Sequence, residues 1–332
     1  MKIRTHFYIF AIMATLFVSC NSNPLDIKLE NPPVNYDFIN VDKLLNNESE
    51  DETKKNLKYL TNKLGDLLLY ELSNNVQKNV TDSSFQIIHD FYQSEYIQEL
   101  EREKASIDLT EQESKINKGF QYLSQHFGDS ILPDQIFYIN KLFSQISCSD
   151  SQIAIGLESY ISPETEIIKS IPSSEFYQWQ RNRMQLKYLS RDVLLAWVQV
   201  HLFHEIDGKL AEHFIQAGKI LYVLNACFPK ETESYVLRYS EEAFDWATKN
   251  ESIVWEYIVS QQILFSSDVT TRVNFLNEGP TTVGLSQDSP DRMGQFIGYK
   301  IVKGFMNKNK SLSLQELLDT EYNNILQTYK ID

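Results

Sequence analysis

The run Gln135-Ile136-Phe137-Tyr138-Ile139 is followed, after a short connection, by Gln152-Ile153-Ala154-Ile155-Gly156-Leu157. Both runs are rich in β-branched and aromatic residues, which favour strands. Neither run continues the helical spacing of apolar residues that is found on both sides of them. The two runs therefore predict a small β-sheet within a mostly helical protein.

On either side of these runs, apolar residues recur at helical spacing. Three helices before them are defined by Leu57, Leu60, Leu64, Leu67 and Leu68, by Phe85, Ile88, Phe91 and Tyr92, and by Ile116, Phe120 and Leu123, the last over residues 111–126. After Pro172, helices are predicted near residues 190–204, 210–226, 240–262, 290–308 and 313–328. The predicted fold class is mainly α (α+β with a small β-sheet), in a single multi-helical domain.

The N-terminus has the pattern of a bacterial lipoprotein signal peptide. Lys2 and Arg4 precede an apolar stretch, residues 7–17, that is too short to span a membrane. The stretch leads into Leu16-Phe17-Val18-Ser19-Cys20, in which a small residue stands directly before a cysteine. We therefore predict that residues 1–19 are removed and that Cys20 receives lipid, including palmitate. Two or more acyl chains would attach the protein stably to a membrane.

The residues after this cysteine predict a tether. Residues 20–35 are polar and contain Pro24, Pro32 and Pro33, a composition that is not expected to pack into a core. The folded domain should therefore occupy residues 36–332.

Composition excludes one class of partner. The chain has 45 acidic and 31 basic residues and a net charge of −14, whereas nucleic-acid binding requires clustered Lys and Arg. The same balance argues against a polybasic second membrane anchor. The acidic run at residues 48–52 is expected to lie at a helix N-terminus. Cys148 and Cys227 are expected to stay unpaired as small buried residues.

Several runs in the C-terminal half occur in the order of a known family. They are residues 155–160, 217–222 with Pro229, 238–242 with Trp246 and Asn250, 264–268 after Trp255, 288–294, 298–302 and 313–318. Together they resemble the gliding motility lipoprotein B family (GldB-like). The resemblance implies a non-catalytic lipoprotein of the cell-envelope machinery for gliding motility and associated secretion. Such a protein would act by contacting other envelope proteins, would need no cofactor, and would face the periplasm or lie on the outer membrane.

The same tail supports a second hypothesis. Gly294 and Gly298, followed by an aromatic residue and Ile-Val, are similar to a family of predicted zinc-dependent proteases. Such an enzyme needs HExxH, in which two histidines bind zinc and the glutamate is the general base. Here His204-Glu205 begins the motif, but Gly208 replaces its second histidine, so the motif is broken.

A zinc site could still form on an uninterrupted helix, because His201, Glu205 and Glu212 would project in similar directions. We expect Asp207-Gly208 to interrupt that helix, since glycine favours a helix C-terminus. The metal candidates are therefore His201, His204, Glu205 and Glu212, but no metal site is predicted. The scaffold is expected to be a degenerate zincin-like one, with a helix at 190–205 packed beside the sheet.

Three further residues are candidate binding residues. Lys219, Tyr222 and Arg292 lie in the family-like runs, where a basic side chain could bind an anion or carboxylate. The run Ser289-Pro290-Asp291 predicts an N-cap just before Arg292. Arg292 is more simply explained as an internal salt bridge, with Glu205 or Glu212 as the suggested partner. A third hypothesis is a ligand-binding lipoprotein with aromatic clefts, although Tyr239, Trp246 and Trp255 are expected to belong to the core.

Overall fold

A computed structural model of the protein describes residues 23–330, so the predicted signal peptide and Cys20 lie outside the described residues. The four strands are β1 (Phe38–Asn40), β2 (Gln135–Tyr138), β3 (Ile146–Cys148) and β4 (Gln152–Ile155). The helices of the N-terminal part are α1 (Val41–Leu45), α2 (Glu50–Val76), α3 (Phe85–Gln93), α4 (Glu95–Lys104) and α5 (Thr110–Phe127). Those that follow the sheet are α6 (Glu166–Ser170), α7 (Gln178–Asn182), α8 (Leu189–Leu202), α9 (Leu210–Cys227), α10 (Glu233–Leu237), α11 (Glu241–Lys249), α12 (Glu251–Ser260), α13 (Val269–Leu276), α14 (Met293–Lys308), α15 (Leu314–Asp319) and α16 (Tyr322–Leu326).

The sheet has the strand order β1-β2-β4-β3. Strands β1, β2 and β4 are parallel, while β3 pairs with β4 in the antiparallel direction. Successive side chains point to opposite faces, and the sheet therefore separates two apolar clusters. Ile136 and Ile153 face the larger cluster, whereas Phe137 and Ala154 face the smaller one. The predicted fold class, mainly α with a small sheet in one domain, is confirmed.

Each face of the sheet is covered by helices. The larger cluster contains residues of α5, α8, α9 and α14, and the smaller one contains residues of α1, α2 and α3. In α2 four leucines of the predicted stripe, Leu57, Leu60, Leu64 and Leu68, are buried, and the fifth, Leu67, is partly buried. The acidic run lies at the N-terminus of this helix as predicted, and the Ser49 side chain accepts a hydrogen bond from the Glu52 backbone N–H.

Helices α9 and α14 form the centre of the larger layer and run in the same direction. Phe214 contacts Gly294 near the start of both helices. Gly218 meets Gly298 one turn later. Near their C-terminal ends, Asn225 and Lys303 line one cavity. Because glycine has no side chain, the backbones of the two helices approach closely at these positions.

Several predicted helix ends differ from the structure. Helix α8 ends at Leu202, five residues before Asp207, because the chain becomes extended at Phe203. The predicted helix over 240–262 is two helices that meet at Asn250, and the one over 313–328 is broken at Thr320. The predicted N-cap at Ser289 is wrong: α14 begins at Met293, and Arg292 precedes it with a left-handed φ of 55°.

Residues 23–36, called the strap here, contain no helix or strand but lie against α5. Gln125 accepts hydrogen bonds from the backbone of Glu30 and Asn31, and Tyr122 donates to Asp26. Leu25 is 7% exposed and belongs to the larger cluster. The expectation that this segment cannot pack against a core therefore does not hold for the strap.

Two further sequence features can be compared with the structure. Cys148 and Cys227 are free, as expected. Within residues 23–330, no helix is both long and apolar enough to cross a membrane.

Candidate functional site

A cleft on α9 contains three of the residues singled out in the sequence. Its cavity has a volume of about 300 Å³ and lies between the loop after α8 and the α15–α16 connection. The residues that line it are Leu202, Phe203, His204, Ile206, Glu212, Ile215, Gln216, Lys219, Leu318, Asp319, Thr320, Glu321 and Tyr322. We call it the Lys219 cleft.

Lys219 is 9% exposed and lies on the wall of this cleft. Its ammonium group donates hydrogen bonds to the carbonyl oxygens of Leu318, at 2.9 Å, and Thr320, at 2.7 Å. Burial lowers the pKa of the Lys219 ammonium, and the nearby carboxylates of Glu321 and Asp319 oppose that change. Lysine near the C-terminus of a helix satisfies carbonyls that the helix leaves unpaired. Lys219 therefore holds the end of α15 against α9.

The four metal candidates do not converge. His201 stacks on Trp197, and its two ring nitrogens lie 3.0 and 3.2 Å from backbone oxygens of Trp197 and Asp150. Glu212 accepts a hydrogen bond from the Lys209 backbone N–H and so caps α9. Of the four, only His204 and Glu212 line the Lys219 cleft. Among residues 23–330, no group of three or more His, Cys, Asp and Glu side chains could hold a metal ion.

The predicted helix at 190–205 is present as α8 and packs beside β3 and β4. That packing is the feature on which the zincin-like interpretation depended. A relationship to zinc-dependent proteases stays a hypothesis.

The other two binding candidates are buried elsewhere. Tyr222 is 4% exposed, and burial raises the pKa of its hydroxyl to about 12. Arg292 is 3% exposed and pairs with the neighbouring Asp291, with 3.1 Å between Nε and Oδ2. The prediction of an internal salt bridge is confirmed. The suggested partners, Glu205 and Glu212, were wrong, because the carboxylate beside Arg292 is that of Asp291.

Arg292 belongs to a cluster of buried ion pairs that the sequence did not reveal. Asp192 pairs with Arg191 at 2.9 Å and with Arg238 at 3.2 Å. Asp291 also pairs with Arg183, at 3.1 Å. The pKa of the Arg183 guanidinium group is lowered to about 10. Burial is the main cause, and the positive charge of the nearby Arg292 lowers this pKa further. These contacts tie α8 to the α10–α11 connection, and the end of α7 to the start of α14.

A second buried network lies where the three parallel strands end, and sequence reasoning missed it completely. Asp42 follows β1, and its carboxylate accepts hydrogen bonds from the Lys104 ammonium, the Tyr92 hydroxyl and the Asn140 backbone N–H. Glu158 follows β4 and accepts a hydrogen bond from a backbone N–H that follows β2, that of Lys141. Burial raises the pKa of Glu158. The carboxyl ends of parallel strands commonly carry binding sites. Here most of these groups bind one another, but Glu158 Oε2 and Asn140 Nδ2 are buried without a hydrogen-bond partner among the described residues.

Beside this network, Glu101 lies 2.5 Å from the Lys104 ammonium. Burial is the largest cause that raises the pKa of Glu101, to about 7, and the charge of Asp42 adds to it. A carboxyl group with this pKa changes its charge near neutral pH.

Comparisons with known proteins give one match. The family model described as gliding motility protein GldB matches residues 22–331, which is nearly the whole chain. No curated protein matches the chain, and no solved structure does.

Proposed function

The chain belongs to the gliding motility protein GldB family, and from that premise we propose that it is a lipid-anchored, non-catalytic envelope protein that acts through contacts with other envelope proteins. The family match supports the coarser statement, a lipoprotein associated with gliding motility. The lipid on Cys20 and the contact mechanism are the proposal.

The observation that carries the contact mechanism is a concentration of exposed apolar side chains in one segment of the chain, residues 253–283, which we call the distal surface. Twelve large hydrophobic residues are exposed among residues 23–330, and half of them fall within residues 253–283. They are Ile253, Val259, Phe265, Val269, Val273 and Val283. Exposed apolar residues that concentrate in one region are typical of protein interaction sites, whereas scattered ones are ordinary.

The part of the distal surface around Phe265 is fixed to one end of α9. The backbone N–H groups of Leu210 and Ala211, which begin α9, donate to the carbonyl oxygens of Ser266 and Leu264, both at 2.8 Å. These bonds satisfy two of the donors that a helix N-terminus leaves free. The loop that carries Phe265 is therefore fixed to the central helix pair, which favours a preformed contact surface.

Surface substitutions test the contact mechanism. In cells whose gliding depends on this chain, the double variant Phe265→Ser, Val269→Ser should be folded and membrane-bound but should fail to support gliding. Tyr70→Ser is the matched control, since Tyr70 is 60% exposed on α2, at the opposite face of the sheet. Full gliding with the double variant would contradict the mechanism.

A second experiment separates anchoring and metal chemistry from this proposal. Cys20→Ser should move the protein from the membrane fraction to the soluble one. The metallopeptidase alternative requires about one equivalent of zinc bound to residues 21–332, lost in His204→Ala. We expect elemental analysis to give the same trace zinc for both proteins, since His204 and Glu212 have no third ligand beside them among the described residues.

A further inference from the structure

The first described residue is already attached to the folded body. The Asn23 side chain donates a hydrogen bond to the carbonyl oxygen of Pro229 at 2.7 Å, and its own side-chain oxygen accepts one from the Leu25 backbone N–H. Leu25 is buried in the larger apolar cluster. The strap therefore has little freedom from Asn23 onward.

The distance from Cys20 to this point is short. Three Cα–Cα steps separate Cys20 from Asn23, and they span at most about 11 Å. If Cys20 carries lipid, as the proposed function holds, the face around Pro229 lies close to the headgroups. That distance is comparable to the physiological Debye length of about 8 Å, so charges on this face interact with the membrane surface.

The same face carries one lysine without an ion-pair partner among the described residues, Lys310. Asn23 and Pro24 line a cavity of about 990 Å³ together with Asn225, Glu231, Thr232, Glu233, Phe244, Lys303, Asn307 and Lys310. Glu231 already pairs with Lys115, and Glu233 with Lys303. In the part of the chain that the structure describes, Lys310 has no carboxylate within ion-pair distance.

The sequence around Lys310 is locally basic in an acidic protein. Residues 300–310 contain Lys300, Lys303, Lys308 and Lys310 and no Asp or Glu, although the net charge of the chain is −14. Lys308 lies in the last turn of α14, where the helix dipole favours cations, and Lys310 follows the helix, whereas Lys300 in mid-helix pairs with Glu251. The overall charge argues against a polybasic anchor, but it does not describe this face.

We propose that the face formed by Asn23, Pro24, Lys303, Asn307 and Lys310 lies against the membrane that anchors Cys20, with the Lys310 ammonium group contacting lipid phosphate. The proposal rests on the lipid anchor of the proposed function and adds an orientation to it. Since α9 and α14 run in parallel, the loop that carries Phe265, which is bonded to the first residues of α9, is at their other end. An 18-residue helix is about 27 Å long, so the distal surface points away from the bilayer toward partners.

Fluorescence quenching tests this orientation. Full-length protein would be purified from membranes and labelled with a fluorophore at one introduced cysteine, either Lys310→Cys or Tyr70→Cys. It would then be placed in vesicles of phosphatidylcholine and phosphatidylglycerol. These vesicles would also contain a lipid with a nitroxide headgroup, which quenches the fluorophore. Burial raises the pKa of the Cys148 and Cys227 thiols, so brief labelling at neutral pH leaves them unreacted. Quenching should be several-fold stronger at position 310 than at position 70. Inserting twelve Gly/Ser residues between Ser22 and Asn23 should reduce the difference.

The outcomes separate the two proposals. Equal quenching at positions 310 and 70 in a lipidated protein would overturn the orientation and leave the anchor intact. A chain that carries no lipid on Cys20 and is absent from the membrane fraction would overturn both. Strong quenching at position 310 that does not depend on phosphatidylglycerol would show that the proposed contact between lysine and lipid phosphate is wrong. The short strap alone would then set the orientation.

Discussion

Gly218 and Gly298 meet backbone to backbone, so that a Cβ added at Gly218 would overlap the carbonyl group of Gly298. A Cβ added at Gly298 would in turn overlap the carbonyl oxygen of Phe214. This contact sets the spacing of α9 and α14, the helices that separate the strap from the distal surface. A change in that spacing would disturb both ends of the pair.

Alanine at either glycine should therefore destabilise the protein. We expect Gly218→Ala to lower the free energy of unfolding by about 1–3 kcal/mol, the usual cost of overpacking a rigid core. The control is Gly304→Ala on α14, where an added Cβ meets nothing within 4 Å. That variant should be stabilised by about 0.5–1 kcal/mol, because alanine favours helix more than glycine does. Urea unfolding measures the free energy of unfolding of both variants. Equal changes in Gly218→Ala and Gly304→Ala would refute the packing argument.

The Asp42 network should be more important for stability than any surface ion pair. Asp42→Ala leaves the Lys104 ammonium buried with only Glu101 beside it, and breaking a buried pair costs about 3–5 kcal/mol. The matched control is Asp245→Ala, whose partner Lys249 lies 4.0 Å away on the surface. That change should cost under about 1 kcal/mol. Thermal unfolding of the two variants checks the contrast.

Glu101 should make stability depend on pH in an unusual direction. Its folded-state pKa of about 7 lies above the ordinary value of 4.5, so between these values the folded state binds more protons than the unfolded state does. Its contribution is therefore fully present below about pH 4.5 and is lost as the pH rises through 7. Between pH 5 and pH 8, the free energy of unfolding of the wild type should fall by about 2 kcal/mol relative to that of Glu101→Gln. The contribution is absent if the two pH profiles are parallel.

A substitution at Lys219 tests whether this residue has a structural role or binds a ligand. Replacing it with methionine removes two hydrogen bonds to Leu318 and Thr320 carbonyls, and such charged bonds contribute about 1.5–3 kcal/mol each. We expect faster amide exchange in residues 314–326 and a smaller loss of global stability. Unchanged exchange there, together with lost binding of an anionic ligand, would instead support a ligand role for Lys219.

Much of the fold could be predicted from periodicity. The leucines of α2 repeat at helical spacing, and the runs that contain β2 and β4 are rich in β-branched and aromatic residues, so these elements could be recognised in the sequence. Strands β1 and β3 have three residues each, too few for any alternation to be recognised. The end of α8 was misplaced because Gly208 is a strong local signal, whereas the chain leaves the helix at Phe203, where the cleft begins.

Except for the internal salt bridge of Arg292, the buried ion pairs were not predicted, and several of them join residues that are distant in sequence. Asp42 and Lys104 are 62 residues apart, and Arg183 and Asp291 are 108 apart. Neither pair shares a motif. The strap was misjudged for a related reason: its prolines and polar residues predict an extended chain correctly, but hydrogen bonds to Gln125 and the burial of Leu25 come from the fold, not from local composition.

Photocrosslinking in living cells tests the central claim, that the protein acts through contacts at the distal surface, most directly. A photoreactive amino acid would replace Phe265 in one strain and Tyr70 in another, with the Cys20 anchor intact in both. We predict a discrete crosslinked envelope protein at position 265, dependent on the anchor, and none at position 70. The same faint background at both positions, in cells that glide normally, would contradict the account.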